Sequence, residues 1–327
     1  MCRSRSLLGG LLLTVATAAL LLANAATSWA AFPGANGLIA YSGSLGDIDE
    51  SDPDLFTISP MGGEPTQLTN NSVNDVSPSW SADGRRITFV RWGGNATPIR
   101  NAGVWAMRAD GSHQHFVLHT RSIAASPHFS PGGGQIAIAD GHSLATVSID
   151  GTHFQRLFFA YIVGLGYSPN GRRIVFSGIP RGTHGGVSIW TVRRDGSDRR
   201  RLTHPGVQGL DVDPDRSPDG RHIVFAHCGL LDRGCNQSPF IYSMRPNGSH
   251  LHRIYREFGG LSYAPAGDRI ALSFYEGYYF DINCGDVFTI KPKGSDRRLV
   301  THNCEDYDNA GTGGYAGSPS WQPIPHP

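Results

Sequence analysis

The sequence predicts an all-β fold, and three observations lead to this prediction. Glycine and proline are frequent, with 42 and 21 residues in a chain of 327, so few stretches are long enough for a helix. Residues 86–89 alternate between polar and apolar side chains, which is the period of two that is typical of strands. Asp-Gly and Asn-Gly pairs, as at 83–84 and 170–171, favour tight hairpin turns. We therefore expect many short antiparallel strands.

The first 30 residues have the composition of a secretory signal peptide. Arg3 and Arg5 precede a long uncharged run of mostly Leu and Ala, and small residues end the segment. We expect cleavage before Ala31, which leaves a mature domain over residues 31–327 that does not insert stably in a membrane. An uncleaved anchor is the alternative, because the apolar run is long enough to span a bilayer. The segment predicts an exported protein, periplasmic or extracellular.

The overall charge excludes some classes of partner. A formal net charge of +1 at pH 7 argues against a protein that mainly binds nucleic acid or an anionic membrane surface. An exported location also argues against nucleic acid.

One sequence unit occurs five times between residues 77 and 275. Each copy has a short run that ends, in all but one copy, in an aromatic residue, then a Ser-x-Asp-Gly turn or a relative, then a strand centred on isoleucine. These isoleucines are Ile87, Ile136, Ile174, Ile223 and Ile270. A second hairpin follows each copy, and a sixth copy of that hairpin lies at 54–69. Two hairpins make a four-stranded sheet, which cannot bury both of its faces alone.

Six such sheets bury their faces when they stack in a closed ring, which is a six-bladed β-propeller. We label the strands of each blade a to d from the ring centre outwards. Strand a is marked six times, by Trp80, Phe129, Tyr167, Arg216, Tyr263 and Trp321. Strand b occurs only five times after residue 80, and the stretch GLIAYSG at 37–43 supplies the sixth. We therefore expect the N-terminal strand to pair with the C-terminal strand and close the ring.

This repeat resembles that of the TolB family. The stretches SPSWSADGRRITFVR (77–91), LFTISPMGGEPTQLT (55–69) and GSDRRRLTH (196–204) carry the resemblance, which covers nearly all of residues 33–325. The resemblance implies a six-bladed propeller, a fold that also occurs as a noncatalytic domain of exported and peptidase proteins. TolB proper has an additional N-terminal α/β domain, and we expect a propeller that lacks it.

The loops between strands b and c and between strands d and a are the longest and most varied, and we expect function there. The residues that we assign to this partner-binding face are Trp92, Arg216, Tyr275, Tyr278, Tyr279 and Tyr315. Aromatic clusters such as FYEGYYFD at 274–281 are typical of interfaces and of surfaces that stack on sugars. Arg216, which replaces an aromatic residue, either binds an anionic group or pairs with Asp213 or Asp215.

Two kinds of residue are candidate metal ligands. Asp47, Asp49, Asp52 and Asp54 have a spacing that calcium accepts, and a solvated loop without metal is the alternative. No other cofactor is expected. Histidines cluster at 113–119 and 250–252 on strand d, where polar side chains suppress edge-to-edge pairing, and a metal site among them is the alternative. Asp75, Asp211 and Asp306 precede strand a in three blades and either point to the channel mouth or cap turns.

The mature chain has four cysteines, Cys228, Cys235, Cys284 and Cys304. An even number in an exported protein predicts two disulfides, with a zinc site as the alternative. A hairpin that turns at 293–295 places Phe288 opposite Val300 and Cys284 opposite Cys304. We expect that pair to be bonded, and Cys228 to bond Cys235 across a b–c loop.

These observations predict a secreted or periplasmic, noncatalytic scaffold that binds a protein or a cell-envelope ligand, such as a polysaccharide. The stretch GHSLA at 141–145 lies between two strands and lacks the strand-turn-helix context of a nucleophile elbow. The alternative is an enzyme, a metal-assisted polysaccharide lyase or hydrolase that acts at the channel mouth.

Overall fold

The structure is a computed structural model. It describes residues 32–44, 52–93, 102–120, 126–140, 142–206, 209–231, 234–256, 259–278, 281–304 and 315–325. For residues 230, 231, 234–239, 274–278, 281–284, 315 and 316 the description covers the backbone alone. Among the described residues, no helix is long and apolar enough to span a membrane.

The described secondary structure consists almost entirely of β-strands. In chain order these are β1 (Ala35–Ser44), β2 (Asp54–Ile58), β3 (Thr66–Gln67), β4 (Val73–Trp80), β5 (Arg86–Gly93), β6 (Gly103–Arg108), β7 (His115–His119), β8 (His128–Phe129), β9 (Gln135–Ala139), β10 (Ser143–Ser148), β11 (Gln155–Tyr167), β12 (Arg173–Pro180), β13 (Ser188–Arg193), β14 (Arg200–Arg201), β15 (Gly209–Arg216), β16 (Ile223–Leu231), β17 (Gly234–Met244), β18 (His252–Tyr255), β19 (Leu261–Tyr263), β20 (Ile270–Tyr278), β21 (Asp281–Ile290), β22 (Arg298–Leu299) and β23 (Tyr315–Ile324).

The strands form antiparallel groups of four. Sheet I has the order β23-β1-β2-β3, sheet II β4-β5-β6-β7, sheet V β15-β16-β17-β18 and sheet VI β19-β20-β21-β22. Sheet III (β8 to β11) and sheet IV (β11 to β14) are joined, because the 13-residue strand β11 ends one group and begins the next. The all-β prediction is confirmed.

The repeat predicted from the sequence appears as one pairing that recurs in every sheet. The aromatic residue or arginine of strand a lies directly opposite the isoleucine of strand b. The six pairs are Trp321 with Ile39, Trp80 with Ile87, Phe129 with Ile136, Tyr167 with Ile174, Arg216 with Ile223, and Tyr263 with Ile270. All twelve side chains are buried, so these pairs form the cores on which the sheets are built.

Sheet I combines the two ends of the described chain. Strand β1 lies between β23 and β2, and Ile39 is opposite Trp321 on one side and Ile58 on the other. The indole Nε1 of Trp321 donates a 3.1 Å hydrogen bond to the carbonyl of Gly37. The predicted pairing of the N-terminal strand with the C-terminal strand is therefore observed.

Apolar side chains pack between neighbouring sheets rather than within one sheet. One cluster joins sheets I and II (Leu55, Trp80), and others join II and III (Val90, Phe129), III and IV (Leu144, Ile174), IV and V (Ile189, Phe225), V and VI (Leu210, Tyr263), and VI and I (Val287, Trp321). Each sheet thus shares a core with the sheet before it and the sheet after it, and sheet VI shares one with sheet I.

Polar side chains of strand a link three of these junctions. The backbone N–H of Trp80 donates to Ser320 Oγ, that of Trp321 to Ser262 Oγ, and that of Tyr263 to Asp215 Oδ2, at 3.3, 3.3 and 2.7 Å. In each case the acceptor belongs to the preceding sheet. These bonds satisfy buried backbone donors and fix the spacing between sheets.

Candidate functional site

The residues predicted to form a partner-binding face are only partly described. Trp92 is half-buried at the end of β5 and packs against the core between sheets II and III. Tyr275 and Tyr278 lie on β20 and Tyr315 on β23, but their side chains are outside the described residues. Tyr279 lies outside them entirely. Partner binding by these aromatics stays a prediction.

Arg216 does not belong with these residues. It ends β15 opposite Ile223, which is the position that Trp80 has in sheet II, next to the short a–b turn. Trp92 lies at the other end of its strand pair, opposite Asn74. The assignment of Arg216 to the loop face is therefore corrected: it lies at the end of the sheet where the a–b and c–d turns are.

The expected pairing of Arg216 with a neighbouring aspartate is not what its hydrogen bonds show. Nη2 of Arg216 donates to the carbonyl of Gly220 at 3.1 Å, and Nε has no hydrogen-bond partner among the described residues. Asp215 accepts from the backbone N–H groups of Arg216 and Tyr263. Asp213 is buried, and its Oδ1 has no partner in the described part of the chain.

Arg216 lines a pocket of about 420 Å³ between sheets IV and V. The a–b turn and the c–d turn of sheet IV form the rest of its wall. The lining residues are Ser168, Asn170, Arg172, Arg173, Arg193, Arg194, Asp195 and Arg216. Five of these eight side chains are arginines, which makes the pocket strongly basic.

Positive charges outnumber negative charges around this pocket. Burial, followed by the nearby charge of Arg173, lowers the pKa of Arg216 to about 10, and Asp215 opposes this shift. Arg173 binds Asp198 through Nη1 at 2.8 Å, and hydrogen bonds from Arg173 and Arg200 lower the pKa of Asp198 to about 2. Asp195 accepts hydrogen bonds from Ser197, which lower its pKa.

The carboxylates predicted to bind calcium are only partly described. Asp54 is buried and accepts hydrogen bonds from Thr69 and Gln67, and burial raises its pKa. Asp52 accepts a 3.4 Å bond from Asn74. Asp47 and Asp49 lie outside the described residues, and the calcium site stays a prediction.

Two of the three aspartates predicted to precede strand a contact basic side chains. Asp75 is fully buried and binds Arg91 through both carboxylate oxygens at 2.6 and 2.7 Å. Asp211 lies 2.6 Å from Nδ1 of His227. Asp306 is outside the described residues. Across the segments that are described, no three His, Cys, Asp or Glu side chains are close enough together to hold a metal ion.

The clustered histidines lie on or beside the last strand of their sheets. His115 and His119 begin and end β7, and His252 begins β18, so the prediction of an outer-edge location is confirmed. His113 and His250 precede these strands, both with positive φ.

The cysteine prediction is corrected in its register. Phe288 pairs with Leu299 rather than with Val300, so the hairpin is shifted by one residue from the expected alignment. Asn303 Nδ2 donates to the carbonyl of Gly285, and the backbone of Cys304 donates to Asp286. Cys304 therefore still lies beside the strand that carries Cys284. The side chains of Cys235 and Cys284 are outside the described residues, and both disulfides stay predictions.

Two features of the site were not predicted from the sequence. The arginine pairs at 172–173 and 193–194 were overlooked, although Arg173 and Arg193 are directly opposite each other. The signal was present, because one pair directly follows the a–b turn and the other directly precedes the c–d turn of the same repeat. His128 was also missed: it is buried, burial lowers its pKa to about 4, and its Nε2 has no partner among the described residues.

Comparison with known proteins gives one relative by sequence. No protein-family model matches the chain. An uncharacterized protein of Agrobacterium fabrum is 27% identical over 267 residues, which is 76% of this chain and 80% of that protein.

Solved structures show the fold more clearly. TolB from Acinetobacter baumannii superposes with a TM-score of 0.68 at 18% identity, over 88% of this chain and 67% of that chain. A chain of a nidogen/laminin complex gives 0.64 at 11% identity, over 89% and 100%. An oligogalacturonate lyase from Vibrio parahaemolyticus gives 0.52 at 12% identity, over 85% and 78%. At these identities the likeness shows the fold alone, which is a TolB-like β-propeller.

Proposed function

We propose that the chain is an exported, six-bladed propeller scaffold that binds a protein or a cell-envelope ligand through its b–c and d–a loops. Each of the six sheets is one blade, and β1 with β23 closes the ring. The likeness to TolB supports the fold, and the N-terminal segment supports export.

The cyclic order of the cores carries this proposal. Each sheet packs against two others, and the series returns from sheet VI to sheet I through Val287 and Trp321. A ring of this kind has no free stacking end, so it is a rigid base on which loops of different length can present a binding surface.

The chemistry of the loop ends supports binding rather than catalysis. Among the described residues, the carboxylates Asp75 and Asp211 are paired with Arg91 and His227. Arg91 donates to both carboxylate oxygens of Asp75, so these oxygens are already engaged. Aromatic side chains on β20 are suited to an interface or to stacking on sugar rings.

The proposal is tested by measuring how the secreted protein binds to isolated cell envelopes. The double variant Tyr278→Ala, Tyr279→Ala removes two aromatic side chains that the sequence predicts to belong to the binding face. Loss of such anchors typically costs more than about 2 kcal/mol, so we expect the affinity to fall by more than about tenfold.

The control is Met61→Ala, which removes an exposed side chain from the c–d turn of sheet I. It is expected to bind as the wild type does, and thermal unfolding shows that all variants are folded. Unchanged binding by the double variant, or an equal loss in the control, would show that the loops of this face are not the binding surface.

A further inference from the structure

We propose that the basic pocket between sheets IV and V binds a phosphate group, free or as a monoester. The pocket lies at the turn end of the sheets, away from the loops discussed above, so this inference does not rest on the proposed function. Its walls are formed by Arg172, Arg173, Arg193, Arg194, Asp195 and Arg216.

The first argument is the state of Arg216. This side chain is only 7% exposed, it lines the pocket, and the N–H on Nε has no acceptor among the described residues. A buried charged donor without an acceptor is costly, because it has lost its hydration without replacement. An anion in the pocket would place a further negative charge next to this guanidinium.

The second argument is the charge of the wall. Arg173 is committed to Asp198 and to Thr191, and Arg193 lies 3.7 Å from Asp198. Five arginines thus face three carboxylates, Asp195, Asp198 and Asp215, which leaves two positive charges. This excess points to a ligand with more than one negative charge.

A phosphate group fits that excess better than a carboxylate does. A phosphate monoester carries about 1.5 to 2 negative charges near neutral pH and three strong acceptor oxygens, whereas a carboxylate carries one charge. Guanidinium groups bind phosphate in a bidentate manner. The volume of about 420 Å³ also lies in the range of pockets that hold small organic ligands.

The neighbouring junction provides an internal comparison. A pocket of about 480 Å³ lies at the equivalent turns of sheet V, where Arg221, His222, Arg245, Pro246 and Asn247 are among the lining residues. Tyr263 is the residue of sheet VI that corresponds to Arg216. A cavity therefore occurs at the turns of both sheets, but among the six marker residues of strand a Arg216 alone is an arginine.

The test is calorimetric titration of the mature protein with inorganic phosphate at neutral pH and low salt. Arg216→Tyr introduces the residue type found at the equivalent position of the next repeat, Tyr263, so the fold should accept it. We expect this variant to lose at least tenfold in phosphate affinity. Arg194→Gln changes an exposed side chain of the pocket, and we expect it to lose several-fold in phosphate affinity. This second variant still tests the site if Arg216→Tyr misfolds.

Two controls locate the site. Arg245→Gln removes the arginine that corresponds to Arg193 from the neighbouring pocket, and Arg108→Gln removes the corresponding arginine from sheet II. Both should bind phosphate as the wild type does. Equal weakening in Arg245→Gln would overturn the location, because it would indicate general attraction to a basic surface.

Two other ligands test the chemical class. Acetate at the same ionic strength should bind much more weakly than phosphate, and equal binding of acetate would overturn the assignment. Binding of glucose 6-phosphate with the same dependence on Arg216 supports a monoester, and binding of inorganic phosphate alone supports the free ion. Absence of any heat of binding at millimolar phosphate would refute the proposal.

Discussion

At the scale of single residues, Asp213 carries the clearest prediction. It has a φ of 56° and occupies, with Ser77, Ser126 and Ser318, the position before a proline in strand a, where all four have positive φ. Asp213 is the acid among them, and burial raises its pKa well above the ordinary value. Because the folded state then binds a proton more tightly, the contribution of Asp213 to stability is fully present below about pH 4, near the unfolded pKa, and is lost as the pH rises through the folded pKa.

The variant Asp213→Asn removes this titration without changing the size of the side chain. One proton of difference changes the free energy of unfolding by up to about 1.4 kcal/mol per pH unit. The variant should match the wild type below about pH 4 and become progressively more stable than it as the pH rises. Urea unfolding from pH 3 to 8 measures this. A constant difference at every pH would mean that Asp213 does not titrate with folding.

At the scale of elements, the hairpin of β21 and β22 is bound by an arginine that lies just before the neighbouring strand β20. Arg269 is buried at the start of β20, and it donates to Thr289 Oγ1 at 2.8 Å and to the carboxylate of Asp296 at 3.0 Å. Asp296 has a φ of 58°, and hydrogen bonds from Arg298 and Arg269 lower its pKa to about 2. In sheet IV, Arg173 and Asp198 repeat this arrangement.

We expect Arg269→Met to destabilise the protein by about 1–3 kcal/mol, because it leaves buried acceptors without a donor. The matched control is Arg297→Met in the same hairpin, where the exposed guanidinium lies over the ring of Phe288, and it should cost less than about 1 kcal/mol. Urea unfolding compares the two. Similar losses in both variants would contradict the structural role of Arg269.

The same hairpin shows what the sequence can predict about an element. Its existence and turn followed from the Gly294 turn and from its match to the second hairpin of the other repeats. Its register did not, because the left-handed residue Asp296 and the double acceptance by the carbonyl of Val287 from Val300 and Thr301 shift the pairing by one residue. Such irregularities depend on hydrogen bonds that leave no periodic pattern.

At the scale of the whole molecule, the fold was predictable and the candidate site was not. The pairs of isoleucine and aromatic residue recur with the repeat. Ile39 could therefore be predicted to pair with Trp321, although most of the chain separates the two residues. The basic pocket requires Arg216 and the turns of sheet IV to meet at a junction between two sheets. The spacing of residues within one repeat does not predict this contact, because the contact depends on how neighbouring repeats pack.

The central claim is that the terminal strands are part of a closed ring, and native-state hydrogen exchange tests it most directly. Chain ends usually open locally and exchange fast. In a closed ring, strand β1 is held between β23 and β2, so the amides of Ile39 to Gly43 should exchange as slowly as those of Ile174 to Ser177 in sheet IV. The free energy of opening measured at both sets of amides should then equal the free energy of global unfolding. Much faster exchange in β1, at conditions that leave sheet IV protected, would contradict the closure.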